Sequence, residues 1–286
     1  MTTYNNIRKL SAWFLTASLT TALYGCSGEI AVGDTLPDGK YPMTFTAQVD
    51  GLTVTRATVD GSWSGGEEVA VQIGSEVKKY AAASGGNLTV AGGDPFYWQS
   101  KGNITINAWY PYNKTKPTAG ALKVQADQNE DANYQASDYL EVVDATVVFA
   151  NTAELKFKHR TAKVSVTLNT GEGITDISGA TVKFVNQVQV EGNGTEVVAK
   201  TITTGTYIAL LIPQQMQNKQ FIKVTIGTNG DARDYYYTPA NINLEAGKQY
   251  SYTVTVKKEG LTVTAGTSVS WTDNDFGDVE ATEETP

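Results

Sequence analysis

From Tyr41 onward the chain alternates apolar and polar residues in short runs, and Gly, Asn, Asp or Pro interrupts nearly every run. Met43, Phe45, Ala47 and Val49 fall on one side of the first run, with Thr44, Thr46 and Gln48 on the other. A period of two is the signature of a half-buried strand, because successive side chains of a strand point to opposite faces. Similar runs lie at 52–54, 69–73, 104–109, 146–149, 162–168, 181–190, 197–202, 207–212, 221–226, 235–238 and 250–256. Their length and turn-rich spacing predict sandwiches rather than βαβ units, and Val, Ile, Tyr, Trp and Thr are strand-forming residues. Residues 121–142 depart from the pattern, and the polar stretch 128–131 fits a short helix or a long loop. An aromatic-rich block with Trp63, Trp98 and Trp109 gives way near residues 158–163 to Thr/Val-rich strands. The expected fold is all-β, with one sandwich at 41–160 and another at 161–286 that ends in an acidic tail.

The N-terminus reads as an export signal at 1–25. Arg8 and Lys9 precede an apolar segment at 10–23 that is too short to span a bilayer. It ends in Leu23-Tyr24-Gly25-Cys26, which resembles a bacterial lipobox with the chain's single cysteine at the acylated position. Lipid on Cys26 would anchor the chain to a membrane, each buried methylene adding about 0.8 kcal/mol. Residues 26–40 read as a tether.

Composition excludes several classes of function. The net charge is −8 and no stretch is densely basic, so nucleic acid is not a partner. One Cys forms no internal disulfide, and one His makes a His-rich metal site improbable. No cofactor motif and no metal-ligand spacing occurs: P-loop, Rossmann glycines, HExxH and GxSxG are all missing from the sequence. Asp273-Asn274-Asp275 lacks the Gly and Glu of a calcium loop. Glu67 and Glu68, as strand neighbours, face opposite ways and cannot flank one substrate atom. His159, between Lys158 and Arg160, reads as a structural histidine. No catalytic residue is expected, and the chain reads as a non-enzyme.

A set of landmarks recurs in a fixed order. Phe45-Thr46-Ala47 precedes Thr55-Arg56-Ala57-Thr58, Trp63 and the run Gly66-Glu67-Glu68-Val69. Ala108-Trp109-Tyr110-Pro111-Tyr112 and Ser137-Asp138-Tyr139-Leu140 follow. Then come Phe157-Lys158-His159 with Lys163-Val164, Leu211-Ile212-Pro213, Ala246-Gly247-Lys248 and Trp271. Taken together they resemble the fimbrillin family of Bacteroidetes, over residues 43–271. Glu67 stands where the family commonly has Asp.

The resemblance implies two transthyretin-like β-sandwich domains in tandem and a structural subunit of an adhesive pilus. It implies export as an outer-membrane lipoprotein and a place in the fimbrium at the cell surface. It further implies a maturation protease that cuts after an Arg, removing the first strand so that a strand of another pilus subunit fills the groove. Arg56 and Ala57 flank the candidate cut, although an exposed loop Arg that is never processed is equally consistent with the residues. Leu261, Val263 and Ala265 alternate as Met43, Phe45 and Ala47 do, which makes 261–271 a candidate donor. The same pattern also fits a strand that closes its own domain. A second class of function stays open: Trp109-Tyr110-Pro111-Tyr112 and Tyr235-Tyr236-Tyr237 could stack on sugar rings, as in a glycan-binding surface lipoprotein.

Overall fold

The computed structural model describes residues 36, 38–49, 63–149, 152–227 and 231–271. Cys26, Arg56 and Ala57 lie outside the described residues, as do the export signal and the acidic tail. The described chain is almost entirely β, as its alternation dictates.

The first half contributes β1 (Phe45–Val49), β2 (Glu68–Ile73), β3 (Glu76–Ala82), β4 (Asn87–Val90), β5 (Ile104–Tyr110), β6 (Leu140–Val147) and β7 (Ala153–His159). Their ladders close on themselves in the order β1-β4-β3-β2-β5-β6-β7. The β6–β7 join consists of two pairs, Leu140 with His159 and Glu141 with Lys158. Inward residues of every strand meet in one core, among them Phe45, Val71, Tyr80, Ile106, Leu155 and Phe157. β3 carries Lys78 and Lys79, which hide its alternation in the sequence. Lys78 lies on the side of buried Tyr80 but carries its ammonium out to the carbonyls of Asp94 and Pro95, 3.1 Å from each. The strand expected at 146–149 instead begins at Leu140 and ends at Val147.

The second half runs through β8 (Ala162–Thr170), β9 (Thr181–Val185), β10 (Glu196–Val198), β11 (Lys200–Thr203), β12 (Thr206–Leu211), β13 (Gln214–Gln217) and β14 (Ile222–Ile226). It ends with β15 (Arg233–Tyr237), β16 (Asn241–Leu244), β17 (Lys248–Lys257), β18 (Gly260–Ala265) and β19 (Val269–Ser270). A four-stranded sheet, β10-β9-β14-β15, and a sheet ordered β11-β12-β8-β17-β18 share a second core. β8 and β17 pair in parallel at the centre of the larger sheet, from Lys163 with Gln249 to Thr170 with Val256. β9 stops at Val185, short of the expected 190, because Asn186 and Gln189 take positive φ and turn the chain.

The break in alternation expected at 121–142 holds the helix α1 (Asp131–Ala136) but ends earlier, at Leu140, where β6 begins. Leu122 and Val124 from this segment are buried in the second core although they precede β6 in the chain. Gln128, fully buried, acts as one more strand residue. Its amide donates to Leu210 O at 2.7 Å and accepts from Leu210 N at 2.8 Å.

Candidate functional site

The strand whose removal the family resemblance implies, β1, sits between β7 and β4. It runs parallel to β7, from Phe45 beside Ala153 to Val49 beside Phe157, and antiparallel to β4 through Phe45–Leu88 and Thr46–Asn87. Met43, Phe45, Ala47 and Val49 all point inward and are at most 8% exposed. Burial of side chains this size stabilises a fold by about 1.5–3 kcal/mol for each large one. The Phe45 ring meets Tyr80 edge-on, centroids 5.3 Å apart. Burial raises the Tyr80 phenol above its ordinary pKa, and its oxygen accepts the Phe96 N–H at 3.2 Å.

Polar groups of the remaining fold depend on the same strand. Trp98 N donates to Tyr41 O at 2.8 Å, and Ala153 N donates to Thr44 O at 2.8 Å. Phe96 O accepts from Met43 N and Gly86 O accepts from Ala47 N, both at 2.7 Å. Trp63, which follows the candidate cut, donates its indole N–H to Ala47 O at 3.0 Å. Gly86 explains how closely β4's leading turn approaches: a Cβ there would lie 2.2 Å from Ala47 O, and its φ of +88° already favours glycine. Withdrawing residues 41–49, β1 with its lead-in, would therefore strip partners from Trp98 N, Ala153 N, Phe96 O, Gly86 O and the Trp63 indole. A buried polar group left unpaired costs about 1–3 kcal/mol. The gap would then be an apolar slot edged by unmet hydrogen-bonding groups, the kind of edge with which an extended segment can pair.

The candidate donor strand is held differently. β18 is an edge strand, paired only with β17 among the described residues, with Leu261 beside Val256, Val263 beside Val254 and Ala265 beside Tyr252. Leu261 and Val263 are half-buried against the second core, whereas Thr262, Thr264 and Ala265 are exposed. The two alternating segments that look alike in sequence thus differ in packing: one is a core strand and the other a partly covered edge.

The remaining residues singled out in the sequence have separate partners. The Glu67 carboxylate accepts Ser64 N and Gly65 N, at 2.7 and 2.8 Å, while Glu68 pairs with Lys79 at 2.7 Å. His159 Nδ1 lies 2.8 Å from Asp138 Oδ1. Tyr235 is buried and Tyr236 exposed, as neighbours on a strand must be. Among the described residues no group of three His, Cys, Asp or Glu side chains could hold a metal ion. Gly86 and Trp63 were not linked to the slot by sequence alone, because the contact of each with Ala47 joins distant parts of the chain.

Comparison with known proteins agrees with this architecture. The profile of the fimbrillin-like family matches residues 55–271, and the chain belongs to that family. A Bacteroides uniformis protein assigned as fimbrium subunit Fim1C is 25% identical, over 90% of this chain and 94% of its own length. Two crystal structures of proteins assigned to cell adhesion share the fold. The one from Bacteroides ovatus has a TM-score of 0.63 at 19% identity and covers 82% of this chain and 99% of its own. The one from Bacteroides uniformis has a TM-score of 0.60 at 18% identity and covers 83% of this chain and all of its own.

Proposed function

We propose that this chain is a non-catalytic structural subunit of an adhesive surface pilus, assembled by replacing β1 with a strand from a neighbouring subunit. Lipid on Cys26 carries the chain to the outer membrane, and a maturation protease cuts between Arg56 and Ala57. That single cut frees the subunit from its anchor, because Cys26 and β1 lie in the same fragment. The observation that supports this reading best is the two-sided seating of β1, with a buried apolar face and five polar groups relying on residues 41–49. The incoming strand restores both the backbone pairing and the alternating side chains. Leu261, Val263 and Ala265 of β18 are the donor residues that this reading favours, since β18 leaves an edge position and not a core one.

Treating the purified lipoprotein with a trypsin-like protease and sequencing the new N-terminus tests the cut, which is expected to expose Ala57. Size-exclusion chromatography of the product then tests assembly. A different N-terminus discards the site, and cut protein that remains a stable monomer discards strand replacement.

A further inference from the structure

Two hollows adjoin on the surface where the two cores meet. One is about 470 Å³, the other about 410 Å³, and Pro111 and Tyr112 form part of both walls. Each volume falls in the range of small-molecule sites, which favour junctions between domains. Tyr110 packs on the first core and Tyr139 on the second, so the walls of the trough come from both.

The chemistry of the walls narrows the ligand. Tyr112, Tyr139 and Pro117 offer flat apolar surfaces in the first hollow, with Asn113 and Thr115 beside them. The second adds the Gln135 amide and the Glu67 carboxylate. Lys116, the cation of the first wall, is already paired with Glu141. Lys79 is paired with Glu68 and stands 5.5 Å from the centre of the Tyr112 ring. An anionic ligand would meet no uncompensated cation on these walls and would face Glu67. A ligand with apolar C–H faces and many hydroxyls meets both requirements, since aromatic rings take the faces and carboxylates and amides take the hydroxyls.

We infer that the trough over Tyr110-Pro111-Tyr112 binds a neutral saccharide, with Tyr112 as the stacking platform. Hydroxyl groups of the sugar reach Asn113 on one side and Glu67 and Gln135 on the other. The inference stands apart from strand replacement, because the trough is complete in the uncut chain and none of its walls belongs to β1 or β18.

Saturation-transfer NMR on the purified uncut chain tests it, with lactose, cellobiose, maltose and chitobiose as probes and 3′-sialyllactose as the acidic comparison. Transfer to the ring C–H protons of at least one neutral disaccharide is expected. Tyr112→Ala is expected to weaken binding about ten-fold or more, while Tyr112→Phe stays within about three-fold of the parent, ten-fold corresponding to 1.4 kcal/mol. Tyr236→Ala, at an exposed tyrosine of the second half, should bind as the parent does. Thr115→Trp fills the first hollow from an exposed loop position and gives the same readout should Tyr112→Ala not fold. No transfer to any neutral probe, transfer to sialyllactose alone, or undiminished binding by the folded variants overturns the inference. Filament assembly is not part of the assay, so its failure cannot be mistaken for failure of the sugar site.

Discussion

The imidazole of His159 lies flat against the indole of Trp271, with ring centroids 3.6 Å apart and planes 11° from parallel. His159 ends β7 in the first half, and Trp271 follows β19 in the second. Lys163 of β8 stands 5.8 Å from the indole centre, and Tyr134, Ile208 and Leu210 bury its other contacts. Trp271 therefore packs against both halves and against α1, which contributes Tyr134.

Replacing that residue removes the shared packing. Trp271→Ala is expected to destabilise the fold by about 3–5 kcal/mol, the usual cost of deleting a large buried aromatic. Trp271→Phe should cost distinctly less, since a ring remains to stack on His159. Urea unfolding followed by circular dichroism checks both, and equal losses would show that stacking contributes nothing.

Gly86 is a direct handle on the β1 slot. Gly86→Ala places a methyl carbon 2.2 Å from Ala47 O at a backbone angle that L side chains rarely adopt. The variant is expected to lower stability by about 2 kcal/mol or more, within the range for strain at such a position. Hydrogen exchange should show the loss concentrated at the Ala47 and Ala153 amides. Protection unchanged at these amides would mean that β1 is not gripped there.

The proposed strand donation makes a separable demand on β18. Val263 is half-buried in its own sheet, so Val263→Asp should cost the monomer about 1–2 kcal/mol. In a core slot the same carboxylate would be buried without a partner, at a far higher penalty. Cut Val263→Asp protein is expected to stay monomeric while the parent forms polymers in size-exclusion chromatography. Normal assembly by the variant would assign the donor to another segment.

Alkaline pH should loosen the fold in a defined window. Burial pushes the Tyr110 phenol up to about 12, helped by the Asp138 and Glu67 carboxylates. Burial likewise takes Tyr252 to about 12, with Tyr237 and Tyr250 adding to it. An unfolded tyrosine ionises near 10, so the folded state holds these protons more tightly. The stability they contribute is complete below about pH 10 and is lost as pH rises toward about 12. Urea midpoints measured across that interval should fall as tyrosinate absorbance grows, and a flat profile would show both phenols to be solvated.

The alternation of Met43, Phe45, Ala47 and Val49 announced a buried strand face, and that face is buried. Other strands were masked. β3 carries two lysines, and β13 and β16 are four residues each, too short for a period to stand out. Gln128 gives no signal at all, because its value lies in reaching the Leu210 backbone of a strand 82 positions away.

By itself the sequence determined the all-β class, a break in alternation within 121–142 and the ordered landmarks of the family, since these rest on local periodicity and on residue order. Only the tertiary structure decided that β1 is locked from two sides and β18 from one, although both read as apolar–Thr repeats. It also decided that Tyr112 and Tyr139 share a hollow and that His159 meets Trp271. Local periodicity says which face a side chain takes. Which partner covers that face depends on strand order, and strand order is fixed by contacts between residues far apart in the chain.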